Sequence, residues 1–214
     1  MNQTLHRTAS FTTLMLIACW VVFLIDLVLP KGPSGLGPLA EAGVLYPPLV
    51  LHGQVWRLLT SGFVHFGFLH ILFNSYALFQ AGALVEYVYG SPRYAVIYLA
   101  SLLGGSVAAY LTTIGTQTIT AGASGAIMGV FGAMVVLGFK LPPLRRELVQ
   151  SAALPILLTL GYGFMNPGIS NAGHIGGVVT GMLVAALMRP ARGKLILDAL
   201  GVPRDQLDDF GQRI

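Results

Sequence analysis

The sequence predicts an all-α membrane protein, a bundle of six transmembrane helices with a long outer loop between the first two. Three observations support this fold class. The 214 residues are 55% hydrophobic and only 9% charged, whereas soluble proteins carry about 25% charged residues. The mean hydropathy is +0.75. Six separate apolar runs follow one another along the chain, and basic residues gather at alternate ends of them.

The six apolar runs are long enough, or nearly so, to cross a hydrocarbon core that requires about 20 helical residues. Because lipid offers no partner to backbone N–H and C=O groups, each run is predicted to be a helix. These spans one to six cover residues 11–29, 63–85, 94–115, 124–139, 148–165 and 174–188. The expected organisation is a cytoplasmic N-terminus at 1–10, a six-helix domain at 11–188 and a polar cytoplasmic tail at 189–214.

The basic residues predict the orientation of the spans. Of the 12 Lys and Arg residues, all but Lys31 and Arg57 fall on the side that holds both termini. Since loops rich in Lys and Arg remain in the cytoplasm, both termini are expected there, with the protein in the bacterial inner (cell) membrane. The net charge of +4 is therefore interpreted as a topology signal, and no nucleic-acid partner is expected.

The segment 30–62 between spans one and two is long and contains five prolines followed by the amphipathic stretch GQVWRLLTSG. Its Trp56 and Arg57 each combine an apolar body with a polar tip, which suits the membrane interface. This outer loop is expected to contact lipid of the outer leaflet. A single cysteine, Cys19, excludes an internal disulfide.

Polar side chains recur at one depth of the spans. Ser124 lies 16 residues before Lys140, His174 lies 15 before Arg189, and His70 lies 16 before Glu86. At 1.5 Å per residue, all three lie about 24 Å above the inner boundary, inside a core about 30 Å thick. A lone serine in a membrane helix most often only packs, but membrane-embedded histidines are rare and favour a functional site.

Two further polar residues belong to span two. His70 and Asn74 are four residues apart and share one helix face. His65 lies five residues before His70, about 140° around a helix, and is predicted to point elsewhere with a structural role.

These residue types permit acyl transfer. A serine hydroxyl needs an adjacent base, which a neutral histidine supplies. The outer half contains only the acids Asp26 and Glu41, so a Ser124–His174 dyad is more economical than a triad. The N–H groups at the start of the helix of Ser124 would bind an oxyanion, with Asn74 and His70 as candidate side-chain donors.

Glycine stripes predict how the two reacting groups meet. Gly125, Gly129 and Gly132 follow Ser124 along span four, and Gly177 and Gly181 share a face with His174 in span six. Small residues allow close approach of membrane helices, which would bring Ser124 to His174.

The pattern resembles the rhomboid proteases from about residue 45 to residue 188. The matching pieces are WR at 56–57, HFGFLHILFN at 65–74, EYVYGSPRY at 86–94, GASG at 122–125 and HIGGVVTG at 174–181. The resemblance implies a six-helix intramembrane serine endopeptidase with a Ser124–His174 dyad and an oxyanion site from His70, Asn74 and the Ser124 N–H. Structural roles are expected for Trp56, Arg57, His65, Glu86, Arg93, Gly122, Gly125, Gly177 and Gly181.

Two positions depart from the family pattern. Met128 stands where an aromatic residue often packs on the catalytic imidazole, and Gly173 stands where alanine is usual. Neither departure removes a reacting group, so both bear on rate and not on mechanism.

The implied substrates are single-span transmembrane proteins, with no cofactor and no metal; the oligomeric state stays open. Span five and the residues 166–172 after it are candidates for the part that moves to admit substrate. Three alternatives compete: a catalytically inactive rhomboid-like protein that binds transmembrane clients, a metal or haem site on His65, His70 and His174, and a transporter or channel.

Overall fold

The computed structural model describes residues 9–202, and within that range the chain is helical. The expectations for residues 1–8 and 203–214 lie outside the described residues. The helices are α1 Ser10–Val28, α2 Pro38–Gly43, α3 Pro47–Leu51, α4 Arg57–Thr60, α5 Phe68–Tyr89, α6 Ser91–Thr113, α7 Ser124–Lys140, α8 Arg145–Met165, α9 Asn171–Leu187 and α10 Gly193–Ala199. An antiparallel bridge joins Leu45 to Thr120, and no strand is formed among the described residues.

Four helices are long and apolar enough to cross a membrane: α1, α5, α6 and α8, the last with the 3₁₀ turn before it. The helices α7 and α9 are also apolar but have 17 residues each. The predicted spans therefore all appear as apolar helices, while the count of six membrane crossings stays a prediction.

Several predicted boundaries are wrong by three residues or more, and two of them bear on the candidate site residues. Span two was expected from residue 63, but α5 begins at Phe68, because residues 61–63 form a 3₁₀ turn and Val64 is extended. Span six was expected from His174, but α9 begins at Asn171, where Ser170 caps the helix by accepting a hydrogen bond from the Gly173 N–H. His174 consequently lies within the first turn of its helix.

The helices α6, α7 and α9 form the centre of the bundle, and α9 makes its most extensive contacts with the other two. Glycines allow this close packing. A Cβ atom at Gly181 of α9 would stand 2.0 Å from the Gly129 carbonyl oxygen of α7, and one at Gly105 of α6 would stand 2.7 Å from the Gly173 carbonyl oxygen. Backbone therefore meets backbone along the three helices.

Carboxylates hold both ends of α1. At its start, the Glu86 side chain of α5 accepts hydrogen bonds from the N–H groups of Phe11 and Thr12, each at 2.8 Å. At the other end, Asp26 accepts from the N–H groups of Leu39 and Ala40 at the start of α2. Both carboxylates lie at helix N-termini, where backbone N–H groups lack intrahelical partners and negative charge is favoured.

Candidate active site

Ser124 and His174 face each other at the N-terminal ends of α7 and α9. The Oγ atom of Ser124 lies 2.8 Å from Nε2 of His174, within hydrogen-bond distance. The imidazole is 6% exposed. The close approach expected from the glycine stripes is therefore present, and the geometry matches that of a hydroxyl nucleophile beside its general base.

The backbone at Ser124 offers free donors. The first intrahelical hydrogen bond of α7 runs from the Ile127 N–H to the Ala123 carbonyl. The N–H groups of Ser124, Gly125 and Ala126 thus precede the helical ladder and lie at the positive end of the helix dipole. Such donors can bind an anionic oxygen placed beside Ser124.

Three contacts hold the segment that leads into Ser124. The backbones of Thr120 and Leu45 exchange two hydrogen bonds of 2.9 Å, and the Gly122 N–H donates to the Ser61 carbonyl at 2.9 Å. The Ala123 N–H points at Nε2 of His65, 3.4 Å away. The outer loop and the turn before α5 therefore fix the position of the serine from outside α7.

His65 lies in this turn and not on α5, so the prediction that it points away from His70 is wrong. The two imidazole rings meet edge to face, with centroids 4.9 Å apart. The Nδ1 atom of His65 lies 3.3 Å from the Phe63 carbonyl, so a tautomer protonated at Nδ1 donates there and accepts the Ala123 N–H at Nε2. The ring therefore contacts the backbone beside Ser124, and the structural role expected for His65 stays a prediction.

Gly122 lies between the His70 ring and the serine. Its φ angle is +124°, and a Cβ atom there would stand 2.7 Å from Nε2 of His70 and 3.8 Å from Oγ of Ser124. Both the backbone conformation and the space therefore require glycine. His70 lies close enough to the serine to reach a group bound between them.

Asn74 is partly occupied within its own helix. Its Nδ2 atom donates to the His70 carbonyl at 2.8 Å. A side-chain amide carries two N–H groups, so one remains for an oxyanion. The bond to the His70 carbonyl also restricts the rotation of the amide.

The two outer acids do not form part of a catalytic triad. Asp26 is bonded to the start of α2, while Glu41 belongs to α2 and its backbone carbonyl accepts from Arg57 at 3.0 Å. The Nδ1 atom of His174 is buried without a hydrogen-bond partner among the described residues. Within the same residues, no cluster of three His, Cys, Asp or Glu side chains is arranged to hold a metal.

Comparison with known proteins identifies the family. A sequence model of the Rhomboid domain matches residues 52–191. The chain belongs to the rhomboid family. It is 34% identical over 203 residues to rhomboid protease GluP of Bacillus subtilis, which covers 94% of this chain and 37% of that protein.

Other rhomboid relatives come from distant organisms. RHOMBOID-like protein 5 of Arabidopsis thaliana is 34% identical over 167 residues, covering 76% of this chain and 53% of the plant protein. Rhomboid-like protease 1 of Toxoplasma gondii is 30% identical over 180 residues, covering 80% of this chain and 61% of that protein. The chain thus spans between about a third and two thirds of these relatives. Family and apolar helices together identify an integral membrane protein.

The rhomboid motif residues of the outer loop differ in exposure. Arg57 is buried: its Nε donates to Gln54 at 2.8 Å, and its Nη1 donates to the Glu41 and Val44 carbonyls. Burial lowers the pKa of this guanidinium, and the nearby Glu41 carboxylate acts in the opposite direction. Trp56 beside it is 52% exposed, which leaves its ring available to lipid.

The other motif residues and the two departures have definite environments. The Glu86 side chain of α5 is buried against the start of α1. Arg93, in the first turn of α6, is exposed. Met128 of α7 is buried in the main hydrophobic core. A Cβ atom at Gly173 would stand 3.2 Å from Oγ of Ser170, so an alanine there would press on the cap of α9.

Three side-chain contacts between helices of this rhomboid protein were not predicted from sequence. Lys140 donates to the Ala185 and Ala186 carbonyls at the C-terminal end of α9. Asp26 caps α2, and Asn171 bonds to α8 at the Leu160 carbonyl. The positions of Lys140 and Asp26 at helix ends indicated that each would bind free backbone groups of a helix end. The sequence did not show which helix each would bind.

Proposed function

We propose that the protein is an intramembrane serine endopeptidase that cuts transmembrane segments of single-span proteins near their outer end. Ser124 is the nucleophile and His174 the general base. The observation that carries the proposal is the 2.8 Å approach of Ser124 Oγ to His174 Nε2 at the N-terminus of α7. Relatives named rhomboid proteases, from Bacillus subtilis and Toxoplasma gondii, support the same activity.

The mechanism follows from these groups. The Ser124 hydroxyl adds to the scissile carbonyl carbon and gives its proton to Nε2 of His174. The resulting oxyanion accepts hydrogen bonds from the Ser124 N–H, the second N–H of Asn74 and His70. Collapse of this intermediate breaks the C–N bond, and the imidazolium returns the proton to the leaving amine. Water then attacks the acyl-enzyme by the same proton route and releases the acid.

The proposed arrangement in the membrane has six crossings and both termini in the cytoplasm. Ten cations on the terminal side against two on the other support this orientation. The six-helix domain at 11–188 would then place Ser124 below the outer surface of the bacterial inner membrane, with lipid against Trp56. The substrate would approach through the lipid. The proposal keeps the predicted division of the chain into an N-terminus at 1–10, a six-helix domain at 11–188 and a polar tail at 189–214.

A fluorophosphonate probe, which reacts with activated serines, tests the proposal. The purified protein in detergent should label and should cleave a transmembrane substrate, and both Ser124→Ala and His174→Ala should abolish cleavage. The double variant should be no worse than either single one, because the two residues act as a unit. Exposed Ser151→Ala and His52→Ala are matched controls.

The outcomes separate the candidate functions. Cleavage by Ser124→Ala or His174→Ala at the wild-type rate would exclude the dyad. A wild-type protein that binds transmembrane segments but neither labels nor cleaves would instead be the inactive client-binding relative. Loss of labelling only in the two dyad variants supports the endopeptidase.

A further inference from the structure

The segment that follows α9 packs on the rest of the bundle. The Arg192 N–H donates to the Val88 carbonyl at 3.0 Å, and the Arg192 guanidinium donates to the Tyr87 carbonyl. The same guanidinium lies over the Tyr87 ring, 4.8 Å from its centroid. Leu197 of α10 is fully buried in the main core. The helix α10 is therefore fixed against the end of α5, and each of its other faces has a defined direction.

The helix α10 also has an exposed apolar side. Leu195 is 59% exposed, and Leu200, directly after the last residue of the helix, is 48% exposed. At 3.6 residues per turn these two side chains lie on one side with Ala199, whereas the exposed Lys194 and Asp198 lie on the opposite side. An apolar side and a charged side are typical of helices that lie in the membrane interface.

This end of the bundle is basic. Lys140 of α7 and Tyr89 of α5 both donate to the Ala185 carbonyl of α9, so the ends of these three helices lie together, and α6 and α8 begin there. The exposed acids at this end, among the described residues, are Glu147 and Asp198. The residues outside the described range carry three cations and three acids, so they leave the excess of cations unchanged. The exposed described cations are Arg93, Arg145, Arg146, Arg189 and Lys194.

Exposed apolar side chains mark the level at which α10 lies. Phe139 and Leu187, in the last turns of α7 and α9, are 58% and 88% exposed. The Arg145 guanidinium lies over the Phe139 ring, 4.9 Å from its centroid, so apolar and cationic groups meet there. In an integral membrane protein, cations and aromatic rings gather where hydrocarbon meets headgroups. Five residues separate Leu187 from α10, which places α10 at this boundary.

We propose that α10 lies on the membrane surface, with Leu195 and Leu200 against the acyl chains and the surrounding cations on the phosphates of anionic lipids. The partner is thus a leaflet that contains an anionic lipid such as phosphatidylglycerol. Charge complementarity favours this partner over a second copy of the chain, since two such ends would bring their cations together. The proposal concerns the end of the bundle remote from Ser124 and does not depend on the proposed protease activity.

A polarity-sensitive fluorescent label tests the contact with lipid. Leu195→Cys and Asp198→Cys place a nitrobenzoxadiazole label on the apolar and the charged side of α10, and Cys19→Ala removes the natural thiol. The protein is studied in nanodiscs of equal parts phosphatidylglycerol and phosphatidylcholine, which expose both membrane faces to water. The label at 195 should be quenched by lipids with doxyl groups on their acyl chains. The label at 198, the matched control, should instead be quenched by aqueous iodide.

The preference for anionic lipid tests the role of the cations. Electron paramagnetic resonance gives the affinity of the protein for spin-labelled phosphatidylglycerol relative to spin-labelled phosphatidylcholine. Because a cation near an anionic surface contributes about fivefold in binding, Lys194→Gln and Arg189→Gln should each lower this preference by up to that factor. Lys31→Gln, which removes an exposed cation of the loop between α1 and α2, should leave it at the wild-type value.

Three results would overturn the proposal. Equal quenching of both labels by iodide would mean that the apolar side of α10 faces water. A label at 195 that neither iodide nor doxyl lipid quenches would mean that protein covers this side, as in contact with a second copy. An equal lipid preference in the wild type, Lys194→Gln and Arg189→Gln would remove the anionic lipid as partner. A wild type without fluorophosphonate labelling would count against the protease alone.

Discussion

Gly177 of α9 lies against Gly125 of α7 so closely that a Cβ atom at Gly177 would stand 2.0 Å from the Gly125 carbonyl oxygen. Gly125 directly follows Ser124, and Gly177 lies three residues, about one turn, after His174. The distance between Ser124 and His174 is therefore set by backbone contact between two helices, with no side chain between the helices to adjust it.

Substitution of Gly177 by alanine should separate the two helices. The added methyl group has backbone on its far side and cannot be accommodated by a change of rotamer, so we expect a loss of about 1–3 kcal/mol in the free energy of unfolding. Fluorophosphonate labelling of Ser124 should also fall. Gly161→Ala is the control, since nothing lies within 4 Å of a Cβ atom there. Wild-type melting and labelling of Gly177→Ala would contradict the backbone contact.

Glu86→Gln should loosen the start of α1. The carboxylate accepts from the N–H groups of Phe11 and Thr12 and from the Ser91 hydroxyl at 2.6 Å. A glutamine keeps the size but turns an NH₂ group toward donors, which leaves buried N–H groups unpaired at about 1–3 kcal/mol. Thermal unfolding in detergent should show the loss, whereas exposed Glu147→Gln should stay near wild type. Equal melting temperatures would mean that the cap adds nothing.

Substitution of Asn74 should affect catalysis, whereas substitution of His65 should affect stability. Loss of one oxyanion donor costs about 10²–10³ in kcat, so Asn74→Ala should lower kcat much more than it changes KM. His65→Ala removes the acceptor of the Ala123 N–H and should act mainly by lowering the melting temperature. Steady-state kinetics and thermal unfolding of both variants check this, with His52→Ala as the control. Equal losses in kcat with unchanged melting would refute the division.

The apolar helices and the meeting of Ser124 with His174 follow from local patterns. Long apolar runs must be helical in lipid, and glycines three or four residues apart form a face on which another helix packs closely. Gly125 and Gly129 of α7 meet this requirement, and so do Gly177 and Gly181 of α9, which face them. Residue spacing along the helices therefore predicted most of the contacts of the candidate site.

The contacts that the sequence did not predict join segments through turns. The helical periodicity that placed His65 away from His70 holds only inside a helix. The helix α5 begins at Phe68, so His65 lies outside it and its ring meets that of His70. Asn171 resembles any polar residue near a helix start until its partner at Leu160 is known. Turn geometry depends on tertiary packing, so such pairs cannot be derived from residue spacing.

The last prediction concerns the substrate. A peptide bond within a regular transmembrane helix is enclosed by its own hydrogen bonds, whereas attack by Ser124 needs an extended segment. We expect cleavage near the outer end of a single-span protein, at a small residue just above a Gly or Pro that loosens the helix. Replacing those helix-breaking residues with Leu should lower the initial rate, while the same replacement in the inner half of the substrate should not. An unchanged rate at the same bond would show that unwinding does not limit access.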